Sequence, residues 1–229
     1  MRVTLDGLRR RLVHRTLIAL ARPRFRFRGC RIVVPPGVLN PTAFRASLTF
    51  ARAAERAAPA APSDVLELGC GAGLAAVLLA RHGHRVTATD IEPRAAAAAA
   101  ANARRNRAGL RALACDWDAA LTSEVRFDLV VVNPPFLVVE TPVLRRALYG
   151  GARLEAVAAA LAAVGRRLRP AGRALLLTSE RSGRGLVLSL LAQTDLEAVE
   201  GRTFTSWGEL YHVDLLSRRH PAAIAEGTA

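Results

Sequence analysis

Asn133-Pro134-Pro135-Phe136 follows directly on an apolar run, Phe127-Asp128-Leu129-Val130-Val131-Val132. The run reads as a buried strand, so the tetrapeptide stands at a strand end. Amide nitrogens and exocyclic aromatic amines are poor nucleophiles, because the lone pair is delocalised into the π-system. The side-chain oxygen of Asn133 can accept one N–H of such a group, and the Pro134 carbonyl can accept the other. Those bonds draw electron density onto the nitrogen, favour pyramidalisation and aim its lone pair at an electrophile. The two prolines, Pro134 and Pro135, stiffen the loop and add no competing N–H. Phe136 offers a face on which a planar group can stack. All four are therefore read as catalytic residues. A Pro-rich turn that merely ends a strand is the plain alternative, and the combination of strand, Asn-Pro-Pro and aromatic argues against it.

A second constellation lies upstream. Val65-Leu66-Glu67-Leu68-Gly69-Cys70-Gly71-Ala72-Gly73 is an apolar strand that runs into a G-x-G-x-G loop. Glycines there allow close backbone approach to a ligand. The pattern alone fits a dinucleotide site or a tight turn. The spacing is not G-x-G-x-x-G, however. Glu67 also sits at the strand end, where a carboxylate would hold a cationic amino-acid group rather than phosphates. Asp90 ends the next strand, and a carboxylate there can accept both hydroxyls of a ribose. It could also cap the helix that starts near Pro93. Asp116 could take an adenine amino group, with Trp117 packing on the ring, although a loop Asp is often a turn residue. Cys70 and Ile91 are counted with this cofactor-contacting set, as is Asn133. The histidines, His82 and His84 included, show no metal-ligand spacing, and no metal is expected.

The intervening pattern supplies the frame. Strands are predicted at 65–68, 85–89, 110–114, 127–132 and 172–178, and helices at 73–81, 94–107, 152–168 and 184–193. Apolar strands alternating with helices imply an α/β fold, a mostly parallel sheet covered on both faces. Two final strands, 196–200 and 210–216, have no helix between them and read as an antiparallel pair at the sheet edge. The alanine run 95–101 needs no special role beyond helix formation.

Residues 6–21 read as a helix, Arg24-Phe25-Arg26-Phe27-Arg28 as a strand with one wet face, 31–34 as its partner and 42–58 as a second helix. Three parts are expected: a basic extension over 1–60 for recognition or closure, a catalytic domain over 61–220, and a tail over 221–229.

All 33 basic residues of the 229-residue chain are Arg, against 19 acidic ones. Residues 1–60 hold 13 Arg against Asp6 and Glu55, a net +11 of the chain's +14. That asymmetry suggests an anionic partner such as RNA, a ribosome or a membrane surface, with a solvated basic face as the bland reading. Hydrophobic content of 51% excludes a disordered chain. Cys30, Cys70 and Cys115 are odd in number and widely spaced, a reduced, intracellular pattern. No apolar run is long enough for a membrane span. A cytoplasmic protein is expected.

These motifs resemble the Rossmann-like S-adenosylmethionine-dependent methyltransferases. Within them the chain is similar to the small-methyltransferase-domain group, which includes the HemK/PrmC release-factor glutamine methyltransferases and several rRNA and tRNA base N-methyltransferases. The resemblance implies a seven-stranded sheet with its last strand antiparallel and S-adenosylmethionine as cofactor. It places residues 67–73 around the methionine part, Asp90 at the ribose, Asp116 and Trp117 by the adenine, and Asn133-Pro134-Pro135-Phe136 at the acceptor nitrogen. The segment at Val38-Leu39-Asn40-Pro41 resembles the one that leads over the cofactor in HemK-type enzymes, and 147–151 resembles the loop after N-P-P. Two departures stand out. Arg153-Leu154 stands near the place of the Asp-Gly that usually follows the Gly-Gly. Only about 60 residues precede the catalytic domain, short for a release-factor module.

The implied acceptor is a protein glutamine, in a release factor or ribosomal protein, or an exocyclic amine in structured RNA, with no DNA specificity. Specificity is expected in 1–60 and 137–149. Alternatives are a small-molecule N-methyltransferase of secondary metabolism and a non-catalytic methyltransferase-like module that binds RNA or protein. An NAD-dependent oxidoreductase lacks its glycine pattern here.

Overall fold

The computed structural model describes residues 21–136 and 149–219. The helix expected over 6–21, save its last residue, the specificity stretch 137–148 and the 221–229 tail lie outside the described residues.

Strict alternation makes β1 (Arg24–Phe27), which pairs antiparallel with β2 (Cys30–Val33). Phe27, Cys30 and Ile32 are buried, while Arg24, Arg26 and Arg31 stay in water. Arg28 and Gly29 form the turn, both with positive φ, 46° and 77°, as a two-residue hairpin requires. Helix α1 (Ala46–Ala57) starts later than 42. Asn40 holds the preceding turn, its side-chain oxygen accepting the Thr42 N–H at 2.9 Å.

Among the described residues seven strands form the main sheet, lying across it as β5 (Leu110–Ala114), β4 (Arg85–Asp90), β3 (Asp64–Leu68), β6 (Phe127–Val132), β7 (Leu168–Ser179), β9 (Glu209–Arg218) and β8 (Leu196–Ser206). Its parallel part is β3, β4, β5, β6 and β7. β9 runs antiparallel to β7, and β8 runs antiparallel to β9 on the outer edge. The expected antiparallel pair is present, longer than read from sequence. Its turn is Trp207-Gly208, again with two positive φ values, 53° and 72°. The β8–β9 register shifts at Val199, between Ala198 and Glu200. β7 also begins earlier than 172, with Leu168 opposite Phe127, and its register with β6 shifts before Arg173 meets Leu129.

Helices α2 (Leu74–Arg81) and α3 (Pro93–Arg105) share one face of the sheet with the hairpin and α1. Phe50, Ala54, Val77 and Ala99 meet Val65 and Val131 in that core. Helices α4 (Glu155–Arg167) and α5 (Arg184–Ala192) cover the other face, where Leu161, Val164 and Val187 meet Leu66 and Val130. Pro93 starts α3 at a position where a missing N–H costs nothing. At the amino ends of the strands, Arg169 bridges Asp64 (2.7 Å) and Asp128 (2.6 Å), and Asp128 accepts the Asp64 N–H (2.9 Å). This ties β3, β6 and β7 together in register. The chain runs one way from β3 to β4 and β5 and the other way to β6 and β7. The crevice outside the carboxyl ends of β3 and β6 is the place where such sheets bind ligands. Among the described residues no helix is long and apolar enough to cross a membrane.

Candidate active site

The glycine loop is built by backbone bonds from β4. The N–H groups of Gly69 and Cys70 both donate to the Thr89 carbonyl, each at 2.9 Å. Gly71 N–H donates to one Asp90 carboxylate oxygen at 2.8 Å, and Glu92 N–H to the other at 2.9 Å. Asp90 is thus oriented rather than acting as the N-cap of α3, a position that Glu92 holds. Gly73 has φ 75°, and a Cβ there would lie 2.6 Å from the Cβ of Ala99. Only glycine lets α2 start that close to α3.

Two carboxylates face this loop under strong desolvation. Glu67 is 8% exposed and accepts the Ala76 N–H at 2.8 Å. Burial pushes its carboxyl up to about 8; the Ala76 bond lowers it and the nearby Asp90 charge raises it. Burial also raises Asp90, against the lowering effect of the Glu92 and Gly71 N–H groups. The Cys70 thiol is pushed well up by burial and by the neighbouring Glu67, so it is no nucleophile here.

A cleft of about 370 Å³ opens above these groups, within the size range of small-ligand sites. Glu67, Gly69, Cys70 and Gly71 form its floor on the β3 side. Asp90, Ile91, Asp116 and Trp117 close the β4–β5 side, and Asn133 and Pro135 the β6 side. Three expected residues lie elsewhere. Gly73 is occupied with Ala99. Pro134 and Phe136 line a separate pocket of about 30 Å³, with Leu39, Phe44, Leu177 and Tyr211. Asn133 lines both cavities and so stands on the wall between them. Phe136 meets Tyr211 edge-on, ring centroids 6.3 Å apart, and Tyr211 stacks on Phe204 at 5.3 Å. Tyr211 is half-buried, and the desolvation pushes its phenol up to about 12.

Val38, Leu39 and Pro41, in the loop after β2 that by resemblance leads over the cofactor, line the same cleft. Ser47 and Phe50 of α1, outside the expected set, line it as well. Asn102 of α3 holds that loop in place. It is fully buried and makes four bonds: it accepts the Val33 N–H (2.9 Å) and an Arg105 N–H (2.7 Å), and it donates to the carbonyls of Val33 (2.8 Å) and Ala72 (2.9 Å). One side chain therefore joins the hairpin to the glycine loop. Asp118 does the same for the Asp116-Trp117 turn, where Trp117 has φ 43°. Burial alone would raise the Asp118 carboxyl, but bonds from Arg166 (2.7 Å) and Arg167 (2.6 Å) hold it below the usual range. Arg167 is itself buried and also bonds the Leu121 carbonyl at 3.0 Å. Gly150 lies against the proline loop, since a Cβ there would be 2.6 Å from the Pro135 oxygen. Leu154, where Asp-Gly would stand by resemblance, is a buried core residue with a left-handed φ of 58°. A larger, shallower groove of about 810 Å³, at the amino ends of the strands, is lined by none of the expected site residues.

Comparison with known proteins adds three findings. A family model described as the methyltransferase small domain matches residues 48–186. A release factor glutamine methyltransferase of Bordetella pertussis is 46% identical over 84 residues, covering 36% of this chain and 30% of that protein. Ribosomal RNA small subunit methyltransferase C of Alcanivorax borkumensis is 40% identical over 75 residues, covering 33% of this chain and 22% of that protein. Among solved structures, a T. thermophilus 16S rRNA N2 G1207 methyltransferase, in complex with AdoMet and guanosine, matches with a TM-score of 0.60 at 26% identity. That match covers 86% of this chain and 50% of the other. The segment matched spans less than half the length of these curated relatives.

Proposed function

This chain belongs to the methyltransferase small-domain family, and on that premise we propose that it is an S-adenosylmethionine-dependent N-methyltransferase acting on a planar nitrogen. The cleft fits the cofactor. Its glycine loop leaves open space where the Cβ of any other residue at position 69 would point. Glu67 would face the cofactor's ammonium, Asp90 its ribose hydroxyls, and Asp116 with Trp117 its adenine. Bound there, the cofactor supplies an electrophilic methyl group on a sulfonium.

One observation carries the reading: Asn133 borders both the large cleft and the small aromatic pocket. An acceptor amine held by the Asn133 side-chain oxygen and the Pro134 carbonyl would face the cofactor across that wall. Its lone pair would be freed from conjugation by those two bonds. Phe136, braced by Tyr211, would stack on the acceptor's plane. No strong base is needed, because the nitrogen's proton becomes acidic once it carries the methyl.

The acceptor in this reading is macromolecular, a protein glutamine or an exocyclic base amine in RNA, and the setting is cytoplasmic. The relatives' printed names include both acceptor classes. The test is transfer of labelled methyl from S-adenosylmethionine into fractionated cell extract, with Asn133→Ala alongside. Wild type should label one fraction reproducibly. Asn133→Ala should keep cofactor affinity and lose turnover by orders of magnitude, because its bonds act chiefly at the transition state. Full turnover in the variant removes Asn133 from the mechanism. Intact cofactor binding without label in any fraction favours a non-catalytic binding module.

A further inference from the structure

Six arginines converge on one flank of the molecule. Arg24 and Arg26 project from the wet face of β1, and Arg31 from that of β2. Arg104 and Arg105, in the last turn of α3, and Arg107 just beyond it are exposed as well. Asn106 fastens the two groups together. Its side chain accepts the Arg31 N–H and donates to the Arg31 carbonyl, each at 2.7 Å, and the Arg31 guanidinium reaches the Arg105 carbonyl at 3.4 Å.

The arrangement is unfavourable by itself. Arg26 and Arg31 are direct cross-strand partners, and like charges placed opposite each other destabilise a hairpin. Neither 21–33 nor 93–111 contains an acidic residue. None of the six arginines has a carboxylate partner among the described residues; Glu55 takes only Arg28 on this hairpin. The far edge of the sheet, at β9 and β8, differs. There Arg181 pairs with Glu209, Arg184 with Asp214 and Arg202 with Glu200. A codon-driven excess of arginine explains the number of guanidinium groups, not their segregation from carboxylates. Asn106 fastens the hairpin to the end of α3 before any ligand arrives, so an anion would find the two groups of arginines already side by side.

We propose that this flank is a docking surface for the phosphate backbone of the RNA that carries the methyl acceptor. The proposal rests on the macromolecular reading above and chooses between its two acceptor classes. Guanidinium forks match phosphate oxygens in pairs. A protein partner would need an apolar anchor at the centre of the contact. The exposed large apolar side chains, such as Ile91, Val125, Leu186 and Trp207, all lie off this flank. β2 continues into the loop whose Val38 and Leu39 line the cofactor cleft, whereas Arg104 lies roughly 16 Å along α3 from Pro93, so RNA docked on this flank would reach the site by running along the hairpin.

The test is fluorescence anisotropy of the full chain with a labelled stem–loop RNA between 50 and 200 mM salt. Four phosphate contacts predict about a 100-fold loss of wild-type affinity over that range. Arg26→Gln/Arg31→Gln should weaken binding and lower the log–log salt slope by about 2. Arg104→Gln/Arg107→Gln should do the same. Arg173→Gln/Arg202→Gln removes the same charge from exposed sites elsewhere and should leave the slope intact. An equal loss in that control overturns the flank assignment. Equal competition from duplex DNA overturns the choice of RNA, and preferential binding of an acidic peptide overturns the choice of nucleic acid. Calorimetry with S-adenosylhomocysteine separates the two readings. Nucleoside binding without RNA binding sinks the docking surface alone. RNA binding without nucleoside binding sinks the methyltransferase reading alone.

Discussion

Replacing Glu67 with Gln tests the electrostatics of the cleft most directly. Burial places the Glu67 carboxyl at about 8 in the free protein. At pH 7 roughly ten of every eleven molecules are then protonated, and at pH 6 about a hundred for each one ionised. If the carboxylate must ionise to meet the ligand's ammonium, binding pays a proton-release cost of about 1.4 kcal/mol at pH 7 and about 2.7 kcal/mol at pH 6. The ligand's amino group stays cationic across this window, below about pH 7.7. The dissociation constant of S-adenosylhomocysteine should therefore fall about ninefold from pH 6 to pH 7. Isothermal calorimetry in buffers of different ionisation enthalpy would also count the released proton. Glu67→Gln should bind more weakly at pH 8 and with a nearly flat profile. Asp90 is also raised by burial and titrates in the same direction, so the variant is the arm that assigns the slope. The sign for stability is opposite. With its folded value raised above the ordinary 4.5, Glu67 contributes stability that is full below that value. That stability is lost as pH rises through about 8, on the order of 5 kcal/mol in total. Urea unfolding of the free protein should follow that fall, and Glu67→Gln should blunt it. A wild-type affinity independent of pH, or an unchanged slope in Glu67→Gln, refutes the reasoning.

Three other outcomes follow from the same geometry. Asp90→Ala should weaken nucleoside binding by about 1.5–3 kcal/mol per lost charge-assisted bond; unchanged calorimetric affinity would reject its ribose role. Asn102→Leu leaves the Val33 and Ala72 groups without their partner and should cost about 2–4 kcal/mol in urea unfolding. It should also raise the ligand's dissociation constant, and a loss under 0.5 kcal/mol would contradict this account. Gly73→Ala forces a methyl group into Ala99 at a left-handed φ. It should cost about 2–4 kcal/mol by thermal or chemical unfolding.

The frame was legible because its signals are local. β3 and β6 announce themselves as short apolar runs ending at Gly69 and Asn133, and Pro93 marks the start of α3. The carboxyl ends of those strands then bring Glu67, Asp90, Asp116 and Asn133 to one cleft, as parallel topology requires. What escaped was pairwise and distant. Asn102 interrupts an alanine run in a way that looks incidental, since its partners Val33 and Ala72 lie 69 and 30 residues away. Asp118 reads as part of a turn until Arg167, 49 residues on, folds back onto it. The length of β8 and β9 was hidden by exposed polar residues. Their turn, Trp207-Gly208, also lacks the Asn or Asp that usually marks a tight hairpin.

The outer margins of the sheet bear on how the protein behaves in a crowded solution. An unpaired strand invites a second chain to add to it, which is the first step toward fibrils. β5 limits that risk by being only five residues long, with Arg111 exposed on it. β8 is eleven residues long, and its protection is the extra residue Val199, which breaks the ladder beside Glu200 and Arg202. Deleting Val199 would straighten that margin into a flat template, and the first symptom would be aggregation at high concentration rather than lost chemistry.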